Sequence, residues 1–234
     1  MKTHQQMLDE KAWKFCQAGH KDHELEIVDT ELGKMYAYKT ELYMGFDGYC
    51  SGQDDISRTL KLYGVWEPTE SKIVRDILDA GDRRLPVYDV GAHTGWYSLM
   101  AAQAGYMVEA IEADPNNIQV LEANAKMLSV TENINITELW VDEDSEPLTD
   151  LTETELVIID IEGNDMQAVR ILRDLFKKRK VKNAMIEISP CFNDKYPVMV
   201  NFIKSCGYEA YDLEGKKFND DYSTPQFNLV FRRA

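Results

Sequence analysis

From residue 85 onward, short apolar runs alternate with segments in which apolar positions recur at helical spacing. "LPVYDVG" (85–91), "YMVEAIEA" (106–113), "INITELWV" (134–141), "ELVIIDIEG" (155–163) and "VKNAMIEIS" (181–189) are the runs. Each is bounded by turn signals and has the length and continuity of a strand covered on both faces. The segments between them place apolar residues on one side: Ile118, Leu121, Ala125 and Leu128 in "NNIQVLEANAKML", and Met166, Val169, Leu172 and Phe176 in "DMQAVRILRDLF". Strands alternating with covering helices predict a doubly wound, Rossmann-like α/β sheet. The tail breaks the pattern. "PVMVNFIKSCGYEAYDLEG" gives a helix stopped by Gly207 and then a strand, and "FNLVFRR" gives a last strand with almost no crossover. Two strands joined without a helix predict an antiparallel addition at the sheet edge.

Residues 1–84 are less regular. A helix at about 6–17, strands at "HELEIVD" and "KMYAYKTE", a Gly-containing stretch "GFDGYCSGQDD", and helices near 55–62 and 67–80 read as an accessory layer or lid on the domain at 85–234. Pro68 suits the first turn of the helix that it opens. The acidic stretch 142–155 reads as a solvated loop with a short helix.

The 234 residues, 44% of them hydrophobic, suffice for one substantial core and a modest extension. A formal charge of −15 disfavours a nucleic-acid backbone or an anionic membrane as partner. The basic run "KKRKVK" at 177–182 is assigned to the carbonyls at the end of the preceding helix. Cys16, Cys50, Cys191 and Cys206 are widely spaced, as reduced thiols would be. The first residues lack a signal-peptide core, and no apolar run approaches membrane-spanning length. These features predict a soluble, cytoplasmic protein.

Candidate chemistry begins at "VYDVGAHTGWYS". A strand ending at Val90 meets two glycines, Gly91 and Gly95, with Ala92, His93 and Thr94 between them and Trp96 and Tyr97 after them. Such a turn brings backbone amides and a helix N-terminus close to a ligand. Glu112 closes the next strand, 17 residues beyond Gly95, the kind of separation at which an acid grips ribose hydroxyls. A dinucleotide pyrophosphate favours a middle glycine, which His93 replaces here. S-adenosylmethionine (SAM) has no phosphate and fits better: its carboxylate suits the turn amides and its cationic groups suit Asp89.

"VYDVGAHTGWYSLMAAQAG", "EAIEADPNNIQVLEANAKM", "LVIIDIEGNDMQAVR" and "NAMIEIS", in that order, resemble the FkbM-type SAM-dependent methyltransferases. The resemblance spans about 55–215, and "DIEGND" is its most specific piece. It implies a seven-stranded class I methyltransferase sheet with a final antiparallel strand, and O-methylation, often of sugar or polyketide hydroxyls.

The second constellation is "VIIDIEGND", with Asp160 at a strand end, Glu162 two positions later on the same side, and Asp165 in the first turn of the following helix. Glu187, at the end of the next strand, adds a carboxylate to the same mouth. Acids this close share a proton, a cation or a metal. Asp160 or Glu162 is read as the base toward an acceptor hydroxyl, or as a holder of Mg²⁺; Asp165 is read either with them or as a helix-terminus acid. Around the cofactor, Ala113, Trp140, Val141 and Asp142 are placed at the adenine edge. Trp66, Ser57 and Asp55 are placed in the lid, and His20 and His23 on an exposed loop. The leading function is SAM-dependent methylation of a hydroxyl on a small molecule or glycan. The alternatives are an NAD(P)-dependent oxidoreductase and a SAM-binding module without turnover.

Overall fold

The computed structural model describes residues 24–39, 54–190 and 194–234. The expected helix at 6–17, His20, His23 and three of the four cysteines lie outside these residues. A hairpin of β1 (Leu25–Thr30) and β2 (Gly33–Tyr38) is followed by α1 (Asp55–Tyr63) and α2 (Pro68–Ala80). The main sheet comprises β3 (Val87–Val90), β4 (Val108–Glu112), β5 (Ile134–Glu138), β6 (Thr154–Ile159), β7 (Val181–Ile188), β8 (Tyr208–Tyr211) and β9 (Phe227–Arg233). Between them run α3 (Trp96–Gln103), α4 (Pro115–Met127), α5 (Asp165–Ile171), α6 (Arg173–Lys177) and α7 (Tyr196–Ser205).

The strand order is β5-β4-β3-β6-β7-β9-β8; β3 to β7 run parallel, and β9 is antiparallel to both its neighbours. The antiparallel strand therefore lies inside the sheet, between β7 and β8, and β8 forms the edge. The central strands β3 and β6 are buried at every position, hence their unbroken apolar runs. Edge strand β5 alternates, with Ile134 and Ile136 packed on the core and Asn135 exposed.

Residues of each strand divide between two apolar layers. Val87, Leu156 and Ile158 pack with α2, α3 and α4, whereas Tyr88, Val90, Val157 and Ile159 pack with α5, α6 and α7. Val28, Met35, Ala37 and Leu60 of the N-terminal segment belong to the first layer, beside Leu121 and Ala125. The fully buried Asn124 fastens β2 to that layer: its side chain accepts from the Tyr36 amide (2.6 Å) and donates to the carbonyls of Tyr36 (3.1 Å) and Thr94 (3.2 Å).

Three local expectations are corrected. The helical pattern at 165–176 is two helices, because the Ile171 carbonyl is taken by the Leu148 amide and the chain re-forms its bonds after Leu172. Residues 142–153 form no helix; Leu148 and Leu151 anchor the stretch on the core instead. The basic run starts at the C-terminal end of α6, with Lys177 in the last turn and Lys178 paired to Asp174, but is not confined there: Lys180 donates to the Leu151 carbonyl, and Lys182 pairs with the buried Glu155. Cys206 is a free thiol, and no described helix is long and apolar enough to cross a membrane.

Candidate functional site

The carboxyl ends of β3, β4, β6 and β7 open on one side of the sheet, where crossing connections leave a crevice in doubly wound folds. The turn after β3 forms one wall. Gly91 has φ +93°, and a Cβ there would lie 1.9 Å from the Asp160 carbonyl oxygen, so the ends of β3 and β6 touch only because this side chain is absent. Gly95 has φ +99°, and its missing Cβ makes room for Leu121, 2.2 Å from where that atom would be. Both glycines thus serve close packing within the chain. The turn amides are engaged as well. Gly91 and Ala92 donate to the Ile111 carbonyl, Gly95 donates to that of Ala92, and His93 donates to Glu112 Oε2 at 2.7 Å.

Glu112 reaches across from β4. Its other oxygen accepts from the Asp114 amide (2.8 Å) and the Asn117 side chain (3.4 Å). Oε2, which accepts only from His93, keeps one acceptor position open toward a ligand hydroxyl. Ala113 is half-buried beside it. Asp89 lies beneath the turn, 2% exposed, accepting from the Ser98 hydroxyl at 2.6 Å; burial pushes its carboxyl up to about 6. Thr94 is buried, with its carbonyl on Asn124.

His93 is itself left-handed, at φ +49°, and its Nε2 lies 3.2 Å from Asp54 Oδ1. Burial disfavours the imidazolium, but Asp54, with Glu112 and Asp114 behind it, outweighs burial and holds the ring above its ordinary pKa. Burial alone would raise Asp54; His93 and the Ser57 cap bonds pull it down to about 2. The histidine of the glycine turn is therefore tied to the N-cap of α1. Ser57, expected in a lid, instead accepts from the Tyr38 amide (2.9 Å), and Asp55 pairs with Arg58 toward solvent.

The acids of the opposite wall are arranged differently from the alternation in the sequence. β6 ends at Ile159, and Glu162 sits exposed in a turn with φ +52°, near enough for its charge to raise both Asp160 and Glu187. Asp165 completes the group instead: carboxylate oxygens of Asp160, Asp165 and Glu187 all lie within 4.8 Å of one another. Asp165 is fully buried, accepting from the amides of Ile161 (2.9 Å) and Gly163 (3.3 Å) and from the Tyr196 hydroxyl (2.5 Å). Burial raises it to about 6. Glu187 accepts from Ser189 (2.9 Å) and Gln226, and is hydrogen-bonded to Asp160. Burial, then the charges of Glu187, Glu162 and Glu67, hold Asp160 well above the carboxylate range. Asp160 and Glu187 so placed share a proton. A carboxylate trio is a donor set of the kind Mg²⁺ takes. Here the hydrogen bond between Asp160 and Glu187 already accounts for the close approach of two of the three carboxyls.

Glu67 was not singled out in the sequence. It precedes Pro68 at the N-cap of α2, at φ +41°, and makes no capping bond. Its Oε2 accepts from the Tyr97 hydroxyl at 2.6 Å, and burial pushes it up to about 7. The available signal was a Glu at a position that favours Ser, Thr, Asp or Asn. Trp96 packs inward, its Nε1 donating to Ser71 Oγ (2.7 Å), which donates in turn to the Trp66 carbonyl (2.5 Å). At the far edge β5 stops at Glu138, short of Trp140. Val141 is buried in the core, and Asp142 closes a turn on Ser145, to which the Trp140 carbonyl also belongs.

No protein-family model and no curated protein matches the chain. Among solved structures it is similar to precorrin 8W decarboxylase of Methanobacterium thermoautotrophicum, with TM-score 0.51, 16% identity, and 73% of this chain and 92% of that chain covered. It is also similar to a TehB-like SAM-dependent methyltransferase from Corynebacterium glutamicum, with TM-score 0.50, 18% identity, and 76% and 94% covered. The seven-stranded sheet, mostly parallel with an antiparallel strand near its C-terminal edge, matches a Rossmann-like methyltransferase fold. Identities this low carry the fold and not the substrate.

Proposed function

We propose that the chain is a SAM-dependent methyltransferase acting on a hydroxyl of a small molecule or glycan, in line with the FkbM-like motifs. The observation that carries this reading is that Glu112 and the glycine turn, and the Asp160 and Glu187 pair, stand at the carboxyl ends of neighbouring parallel strands of a methyltransferase fold. Bound SAM supplies an electrophilic methyl on a sulfonium. Glu112 accepts from a ribose hydroxyl at Oε2. With the amides of Gly91 and Ala92 engaged by Ile111, the amino-acid end meets the N-terminus of α3. The Asp160 and Glu187 pair, holding one proton between two carboxylates, orients the acceptor hydroxyl and accepts its proton as the oxygen attacks. Alignment of the oxygen opposite the sulfur supplies much of the acceleration. No metal enters the reading.

Isothermal titration with SAM and with NAD(H) tests the cofactor; binding of the dinucleotide without SAM would reverse the reading. A screen of alcohols and sugars with methyl-labelled SAM identifies the acceptor, and turnover is expected to be unchanged by chelator. On that acceptor Asp160→Asn and Glu187→Gln are expected to lower kcat by about 10²- to 10⁴-fold, with SAM affinity largely kept. Undiminished turnover in both variants would remove the pair from the mechanism.

A further inference from the structure

We propose that Glu67, delivered by the segment that precedes the sheet, is the carboxylate facing the sulfonium of the bound cofactor; this rests on the SAM reading above. Two contacts fix its place. Its Oε2 is held by the Tyr97 hydroxyl in the first turn of α3, directly after the glycine turn. One turn along α2, Glu70 lies 3.4 Å from Asn228, the cross-strand partner of Glu187. The start of α2 thus bridges the two walls, and Glu67 stands between the turn that receives the amino-acid end and the acids that receive the acceptor. The methyl-bearing sulfur must occupy that interval for transfer to proceed.

The surroundings of Glu67 are consistent with a site for a cation. The titratable groups facing it are Tyr97 from α3, Glu70 on its own helix, Glu187 from β7, and Asp160 and Glu162 from the end of β6. None of these is a cation, and among the described residues no ion pair with Lys or Arg is formed by any of the five carboxylates. Glu67 also holds a left-handed backbone without capping its helix, a conformation that costs free energy and that the side-chain anchor to Tyr97 maintains. Burial leaves this carboxyl poised near neutrality. A positive charge placed beside it favours its ionised form, and the displaced proton passes to the buffer.

The experiment is titration calorimetry at pH 7 with SAM and, separately, with S-adenosylhomocysteine, each in buffers of different ionisation enthalpy. The two ligands differ by the methyl and its positive charge. SAM is expected to release up to roughly half a proton more than the thioether, and Glu67→Gln is expected to abolish most of that difference while both ligands still bind. Tyr97→Phe is expected to enlarge it: loss of the donated hydrogen bond raises Glu67 further and leaves more proton to expel. A merely structural role would move both affinities together and leave the difference unchanged. Equal proton release by the two ligands in the wild type, or a difference intact in Glu67→Gln, overturns the assignment while leaving the cofactor reading in place. Failure of both ligands to bind the wild type removes the cofactor reading and this inference with it.

Discussion

At the residue scale, Glu112 has two tasks. Its carboxylate receives the amides of His93 and Asp114, and in the proposed complex Oε2 also receives a ribose hydroxyl. Glu112→Ala is expected to weaken SAM binding by about 10- to 100-fold, the worth of hydrogen bonds to a charged group. The same change leaves two buried amides without their acceptor, which costs about 1–3 kcal/mol of stability. Glu112→Gln retains one carbonyl acceptor and is expected to fall between wild type and Ala on both measures, read by calorimetry and by urea unfolding. An affinity loss without a stability loss would mean that the two amides find other partners. Asp160 and Asp165 illustrate how position outranks spacing. Glu162 acts on Asp160 by its charge from an exposed left-handed turn, while Asp165 brings a carboxylate oxygen within 4.8 Å of Asp160 from the next helix.

At the scale of elements, the N-terminal hairpin and α1 are fastened to the sheet layer by buried polar side chains as well as by apolar ones. Asn124 on α4 bonds both the amide and the carbonyl of Tyr36 and also the carbonyl of Thr94 within the glycine turn. Asn124→Ala is expected to destabilise the protein by about 2–4 kcal/mol, because the cavity adds to three orphaned backbone groups. It is also expected to increase amide exchange at Tyr36 in β2 ahead of the central strands β3 and β6. Exchange that rises uniformly across the sheet would show that the hairpin has no separate opening. The helical period around Leu121 and Ala125 was legible from the sequence. A polar residue on the same buried face was not, since its partners lie 88 and 30 positions away.

At the scale of the molecule, the buried acids make stability depend on pH in an unusual sense. Asp89 and Asp165 are raised from 3.8 to about 6, so the folded chain binds their protons before the unfolded chain does. Their burial cost is present in full at pH 7, declines as pH falls through about 6, and is gone below about 4. Two units apiece amount to something on the order of 3 kcal/mol for each group. His93, also raised, acts in the same direction, contributing most below its ordinary value and losing that contribution as pH rises through its folded one. Asp54 is depressed to about 2, so its contribution is lost only in strong acid. Relief of the −15 net charge adds to the trend. The melting temperature is therefore expected to rise between pH 7.5 and 5.5, with a shallower slope in Asp89→Asn. A melting temperature that falls over this interval would contradict these assignments.

The sequence by itself determined the alternation of strands and helices, the doubly wound class, and the two constellations at β3–β4 and β6–β7. These follow from apolar periodicity and glycine placement, which act over a few residues. It also showed that the last two strands have no crossover helix. Only the tertiary structure decided that β9 enters between β7 and β8, that Asp165 joins Asp160 and Glu187, that Asp54 holds His93, and that Glu67 reaches Tyr97. Each of these joins segments far apart in the chain or turns on a single backbone dihedral, and such choices are settled by packing and by the cost of leaving buried charge unpaired, neither of which leaves a periodic trace in the sequence.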